Sequence, residues 1–296
     1  MKIAVAAYPL DQFQSWDAYA DKLSQWVEDA ASTGSDLLVF PEYAGLELAT
    51  LAGPQIASDL ERCLHAVSER LEDADILHKR LAAEFGVHIL AGSAPSFHSD
   101  PMGNSRPVNR ARLVTPSGEI GIQDKQIMTR FEAEVWDIAP NPGLQLFDTD
   151  LGKIGILICY DSEFPLLGRQ LSEADIILVP SVTEALAGYS RVRIGSQARA
   201  LENQCITAMS SIVGGAPWNE ALGSTVGAGG IFCPPDHGFP ETGVMAVGKL
   251  NEPGWTVASV DLDAVAHVRA DGGVLNRRDW TLQDPTATAA PQHSLR

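Results

Sequence analysis

The sequence predicts an α/β chain in which two similar sheets lie face to face with helices on their outer sides, giving a four-layer α-β-β-α sandwich. Three observations predict it. Apolar runs of strand length alternate with amphipathic helical stretches from the first residues onward. The halves echo each other: Lys2-Ile3-Ala4-Val5 matches Lys153-Ile154-Gly155-Ile156, and Asp36-Leu37-Leu38-Val39-Phe40-Pro41 resembles Asp175-Ile176-Ile177-Leu178-Val179-Pro180. No Gly/Ser/Pro-rich linker separates them, so residues 1–283 are expected to form one domain, followed by an extended tail at 284–296.

Residues 2–7 form the first strand. Trp16, Tyr19, Leu23, Trp26, Val27 and Ala30 then recur at helical spacing until Gly34 stops the helix. Residues 36–40 are too apolar to have a wet face, as suits an inner strand, and Pro41-Glu42 ends it. A helical stretch over 58–85 leads through Gly86 to a strand at 87–91. Residues 109–115 and 120–125 read as a hairpin around Pro116-Ser117-Gly118-Glu119, with Lys125 at the far end of its second arm. The second half repeats the scheme: a strand from Lys153 that ends at Cys159, a helix at 165–173 and a strand at 175–180. The tail lacks any apolar period, and is expected either disordered or laid across another subunit.

Composition narrows the function. The 296 residues carry 21 Lys+Arg against 38 Asp+Glu, a formal charge of −17 that repels nucleic acid. A hydrophobic content of 45% with 20% charged residues is globular rather than disordered. No apolar run approaches the roughly 20 residues needed to span a bilayer, and the first residues turn polar too soon for a signal peptide, so no membrane partner and a cytoplasmic location are expected. Four cysteines and seven histidines are scattered, with no C-x-x-C or H-x-x-x-H spacing, so no metal is expected.

Three residues stand where chemistry could occur. Cys159 ends an apolar strand and is followed at once by Tyr160-Asp161-Ser162-Glu163-Phe164-Pro165, the strand-to-turn position where α/β architectures present reactive groups. Packing is the competing explanation, because free cysteines are usually buried and inert. Glu42 follows an inner strand, where burial would raise its pKa into the range of a general base; a strand-end carboxylate turned to water is the alternative. Lys125, alone most often a solvated charge, could favour a thiolate and hold an oxyanion.

These residues carry a resemblance to the nitrilase superfamily of carbon–nitrogen hydrolases, from Met1 to about Arg278. Leu38-Val39-Phe40-Pro41-Glu42 resembles its glutamate motif, Lys125 its lysine motif, and Ile156-Leu157-Ile158-Cys159-Tyr160-Asp161-Ser162-Glu163-Phe164-Pro165 its nucleophile motif. The spacings of 83 and 34 residues are in keeping with that family. Arg199-Ala200-Leu201-Glu202-Asn203 resembles its R-A-x-E-N helix, and Val260-Asp261-Leu262 its last strand. Gln123-Asp124 stands where many relatives carry Tyr-Arg, and Glu163 where arginine is frequent; both departures bear on the substrate.

The resemblance implies a four-layer sandwich that assembles as a homodimer or larger homo-oligomer, needs no cofactor, and acts on a small-molecule amide or carbamoyl compound. Cys159 is implied as nucleophile, Glu42 as base and Lys125 as oxyanion holder together with the backbone N–H of Tyr160. A thioester would form and be hydrolysed, releasing ammonia or an amine and a carboxylic acid. A second glutamate beyond the lysine is implied, with Glu132 the better placed and Glu134 its rival. Tyr160, where true nitrilases carry tryptophan, favours an amidase over a nitrilase. Thr183, Glu184 and Tyr189 are the expected substrate contacts, within loops near residues 92–106, 136–143 and 183–193. A nitrilase and a catalytically silent binding protein on the same scaffold remain as alternatives. A thiol peptidase would want a Cys/His pair, membrane acyl transfer the missing spans, and a glutamine-fed synthetase a second domain.

Other features have plainer explanations. The glycine-rich stretch 223–230 lacks a P-loop lysine and precedes a strand, so it reads as a loop. Cys63, Cys205 and Cys233 read as packed thiols, and Trp16, Tyr19 and Trp26 as core. Arg191, Arg193 and Arg199 are expected to pair with acidic neighbours, a substrate-carboxylate contact being the alternative.

Overall fold

In the computed structural model, which describes residues 1–97 and 106–283, the first half folds as β1 (Lys2–Pro9), α1 (Trp16–Ser32), β2 (Leu37–Val39), α2 (Pro54–Ala57), α3 (Arg62–Ser68), α4 (Leu71–Phe85), β3 (His88–Ser96), β4 (Val108–Val114), β5 (Ile120–Asp124) and α5 (Arg130–Glu134). The second half follows with β6 (Leu146–Thr149), β7 (Gly152–Ile156), α6 (Pro165–Gln170), β8 (Ile176–Ser181), α7 (Leu186–Asn203), β9 (Ile206–Val213), β10 (Gly230–Phe232), β11 (Val244–Val247), β12 (Gly254–Ser259), α8 (Leu262–Asp271) and α9 (Asn276–Asp279). The expected tail at 284–296 and part of the expected pocket loop, 98–105, lie outside the described residues.

Strand alternation sorts the layers. Ala4, Ala6 and Tyr8 of β1 join Leu38 and Phe40 in one apolar cluster with Leu23 and Val27 of α1 and Leu77 and Leu81 of α4. Ile3 and Val5, pointing the other way, join Leu37, Val39 and Leu90 in a second cluster with Ile154, Ile156, Ile176 and Met209 from the other half. One face of the first sheet therefore meets helices and the other meets the second sheet. Each such Val, Leu or Ile, fully shielded from water, contributes roughly 1.5–3 kcal/mol.

The halves are also joined edge to edge. Parallel pairing of β1–β2–β3 continues into the antiparallel β3–β4–β5 hairpins, and β6–β7 continues into parallel β7–β8–β9. The last residues of β1 and β9 then pair, Ala7 with Ser211 and Pro9 with Val213, making one hydrogen-bonded path through both halves. Before that seam the strands diverge: β12 pairs with Lys2–Ala7 of β1, and β10 with Thr207–Met209 of β9. Both strand–helix–strand repeats are parallel, but β1 adjoins the seam whereas β7 lies two strands away.

Several boundaries differ from expectation: β3, for one, runs on to Ser96 rather than ending at 91, and α6 ends at Gln170 rather than 173. The helical stretch at 58–85 is split into α3 and α4, and a 3-10 segment, Ala44–Ala52, precedes it. The apolar period runs across the break, with Val67 and Leu71 both buried, so periodicity does not locate it. The last strand ends at Ser259 rather than spanning 260–262: Asp261 accepts from the backbone N–H of Asp263 and caps α8, which begins at Leu262. Among the described residues no helix is long and apolar enough to cross a membrane.

Candidate active site

The apolar run of β2 delivers Glu42 to the interior. Phe40 N–H still donates to Leu90 O, after which Pro41 turns the chain and Glu42 is only 1% exposed. Gly92 makes this turn fit: its φ is +77°, and a Cβ there would stand 2.1 Å from Pro41 O. Glu42 Oε1 accepts from Lys125 Nζ at 2.7 Å and from Asn109 Nδ2 at 3.0 Å, while Oε2 accepts from the Val182 N–H at 3.1 Å.

Lys125 leaves the end of β5 as expected, its backbone N–H donating to Asn109 O on β4. Its ammonium is buried between two carboxylates, Glu42 and Glu132, the latter at 2.5 Å. Glu132 is fixed by a capping box at the start of α5: Thr129 Oγ1 accepts from Glu132 N–H, and the Glu132 carboxylate accepts from Thr129 N–H at 3.0 Å. Tyr43 Oη and Asn109 Nδ2 donate to its other oxygen at 2.8 and 3.0 Å. Glu134, two residues on, points outward to pair with Arg130 and takes no part in this cluster.

Cys159 opens the 3-10 turn Cys159–Glu163 with φ +48°, a left-handed conformation that costs a non-glycine residue of order 1–3 kcal/mol. Neighbours hold it there. Ser162 Oγ donates to Cys159 O at 2.6 Å, Arg199 Nη1 donates to Ser162 O at 2.8 Å, and the Asp161 carboxylate accepts from the backbone N–H groups of Gln126 and Ile127, tying the turn to the segment after Lys125. Arg199 thus supports the turn that carries Cys159 and pairs with Glu202. The thiol donates to Val182 O at 3.5 Å, and the N–H of the same residue donates to Glu42, so thiol and carboxylate lie side by side, within electrostatic reach of each other. Glu42, Lys125 and Cys159, far apart in sequence, therefore meet in one cluster.

Burial sets the ionisation, and charge then divides it. Glu42 is raised above the usual carboxylate range by burial and by the charge of Glu132, against the opposing pull of Lys125. Glu132 is held below that range: burial pushes it up, but the Lys125 ammonium and the Thr129 donors outweigh this. Lys125, despite burial, is pushed above its ordinary value by Glu132 and Glu42. Burial and the Glu42 charge raise Cys159 well above an ordinary thiol. Lys125 does pull the thiol toward its thiolate, but burial and the Glu42 charge outweigh that pull. A protonated thiol beside a buried carboxylate is the arrangement for general-base activation.

The cluster lies in a cleft of about 580 Å³, a volume suited to a small molecule. Tyr160, Thr183 and Glu184 line it as expected, although the Thr183 hydroxyl is engaged with Val226 O. Tyr189 does not: on α7, Gly188, Arg191 and Val192 face the cleft, and Tyr189, about 100° further round the helix, is buried in the second apolar cluster beside Arg193. Arg191 pairs with Glu163, as foreseen for an acidic neighbour. Asn109, Tyr43 and the backbone of Val182 were not anticipated. The pattern Thr129-x-x-Glu132 is a readable capping signature, whereas the Val182 contacts follow only from pairing between strands. Among the described residues no group of three or more His, Cys, Asp or Glu is placed to hold a metal ion.

A family model described as carbon-nitrogen hydrolase matches residues 2–267. A probable hydrolase of Bacillus subtilis, YhcX, is 34% identical over 281 residues, which are 94% of this chain and 53% of that protein, so the chain spans about half its length. A deaminated glutathione amidase from Synechocystis is 26% identical over 85% of this chain and 89% of its own. Among solved structures, a mutant of the amidase from Nesterenkonia sp. AN1, with acrylamide added at its active-site cysteine, matches at TM-score 0.67 and 20% identity over 95% of this chain and 99% of that one, a likeness of fold.

Proposed function

The chain belongs to the carbon–nitrogen hydrolase family, and from that premise we propose that it hydrolyses the carbon–nitrogen bond of a small amide or carbamoyl compound through a thioester on Cys159. The observation that carries this reading is one buried carboxylate, Glu42, that accepts from the Lys125 ammonium and from the N–H of Val182, whose carbonyl accepts from the Cys159 thiol, all three side chains lining one cleft. Glu42 takes the thiol proton as sulfur attacks the carbonyl carbon. The oxyanion is held by Lys125 and the backbone N–H of Tyr160. The carbon–nitrogen bond breaks as Glu42 returns the proton to the departing nitrogen. The same carboxylate then deprotonates a water that cleaves the thioester, releasing the acid and regenerating the thiol. The amidase names among the relatives support an amide over a nitrile.

The cleft's charge bears on the substrate. Among the described residues, Glu163, Glu184 and Glu220 line it against a single arginine, Arg191, which is already paired with Glu163. A neutral or cationic amide suits this lining better than one bearing a carboxylate, which would meet unbalanced like charge. We place the protein in the cytoplasm and expect a homodimer or larger homo-oligomer.

The deciding experiment incubates the protein with neutral, anionic and cationic short amides, carbamoyl amines and nitriles, recording ammonia release and intact mass. Turnover of neutral or cationic amides is expected, with an acyl adduct that disappears in Cys159→Ala. Turnover of nitriles alone would replace the amidase reading with a nitrilase. No turnover of any compound, with Cys159 inert to iodoacetamide, would leave a binding protein on this scaffold.

A further inference from the structure

Asn109 touches every charged member of the cluster. It is fully buried near the start of β4, and its backbone carbonyl accepts from Lys125 N–H at 2.9 Å. Its side-chain Nδ2 donates to Glu42 Oε1 and to Glu132 Oε1, each at 3.0 Å. One amide group therefore spans two carboxylates that would otherwise repel each other, while its Oδ1 has no hydrogen-bond partner among the described residues. Leaving a buried carbonyl oxygen unpaired is costly. Flipping the amide would be worse, because it would turn that oxygen toward both anions. The orientation is thus dictated by the carboxylates.

We infer that Asn109 is a positioning residue, holding Glu42, Glu132 and Lys125 as one unit with Glu42 aimed at the Cys159 thiol. The inference rests on the hydrolase reading of the same site. Donation to the ionised form of a carboxylate favours that form, so Asn109 keeps Glu42 available as a base at lower pH. The groups that set this ionisation come from each packed element: Tyr43 beside Glu42 itself, Lys125 after β5, Glu132 on α5, and Cys159 and Asp161 on the nucleophile's turn.

The test compares Asn109→Ala, Asn109→Ser and Asn109→Asp with the wild type, by the pH profile of kcat/KM on a neutral amide and of the iodoacetamide rate at Cys159. Thermal unfolding of each variant is recorded alongside. Asn109→Ala is expected to lower kcat about 10–100-fold, the factor for losing one hydrogen bond to a charged group, with KM within about twofold. Its acid limb should move up by about one pH unit. Asn109→Ser, which keeps one donor, should recover part of both. Asn109→Asp, the closest in shape, should be the least active because it adds a third carboxylate. A packing role alone predicts the reverse order for Asp and Ala, so Asp matching or exceeding Ala, or an unmoved acid limb in Ala, would overturn the inference. Should Asn109→Ala not fold, an unmoved limb in Asn109→Ser would do the same. If the wild type turns over no amide, the hydrolase reading fails while the alkylation profiles still decide the role of Asn109.

Discussion

Replacing Glu132 by glutamine removes one of the two negative charges that flank Lys125. Its ammonium lies 2.7 Å from Glu42 and 2.5 Å from Glu132, so the facing oxygens cannot stand more than about 5 Å apart. At ~5 Å and an effective dielectric of about 20, two unit charges repel by about 3 kcal/mol, or about 2 pH units. The Glu132 charge raises the Glu42 pKa, so Glu132→Gln makes ionised Glu42 less costly and its pKa falls. The base is active when deprotonated, and activity is lost as pH falls through that pKa. The acid limb of kcat/KM should therefore move to lower pH by about 1–2 units. Lys125 also loses an anchor, so the plateau rate should fall about 10–100-fold through poorer oxyanion placement. The assay is ammonia release from a neutral amide at fixed ionic strength across the acid pH range, with the iodoacetamide rate at Cys159 as a substrate-free control. An acid limb that stays put or moves up would refute the charge coupling, and with it the assignment of Glu42 as the titrating base. The shift is opposite in sign to that expected for Asn109→Ala, so a general loosening of the site cannot produce both.

Three further outcomes follow from the geometry. With Cys159 at φ +48°, Cys159→Gly should be more stable than Cys159→Ala by about 1 kcal/mol in denaturant unfolding, reversing the usual order of these residues; an Ala variant as stable as Gly would remove the strain argument. Gly92→Ala sets a Cβ against Pro41 O at an unfavourable φ, so it should cost several kcal/mol and abolish activity by shifting Glu42; a normal melting temperature with full activity would contradict the close approach. Buried Glu47 is pushed up to about 7 by burial, despite Lys22 beside it. Its stabilising contribution is therefore full below its ordinary value of 4.5 and lost as pH rises through about 7. That change is roughly 3 kcal/mol, and the loss of stability between pH 4.5 and 8 should shrink by about this much in Glu47→Gln; equal slopes for the two proteins would count against it.

The parts of the site legible in the sequence share one property: each is announced by a signal within a few residues of it. Glu42 and Cys159 follow apolar runs that can only be interior, so a polar or reactive side chain at their ends has few bland explanations. Glu132 is marked off from Glu134 by Thr129 three residues before it, because the capping box turns the first glutamate back toward the helix start. Tyr189 was misplaced because one residue of helical phase, about 100°, separates the cleft side of α7 from its far side. Asn109 and the Val182 backbone depend on which strands lie side by side. The β1–β9 seam is equally illegible, since it joins residues some two hundred positions apart with no local signal.

That seam bears on how the chemistry is kept in alignment. Glu42, Lys125 and Asn109 belong to the half containing β1, whereas Cys159 and the Val182 peptide groups belong to the half containing β9. Neither half alone carries both an attacking atom and the group that takes its proton. Under the proposed mechanism, catalytic competence is thus a property of the join, and a partial opening that unzips Ala7 from Ser211 would separate Glu42 from Cys159 while leaving each half-sheet folded. Activity would then report the docking of the halves earlier, and more sharply, than any measure of secondary structure.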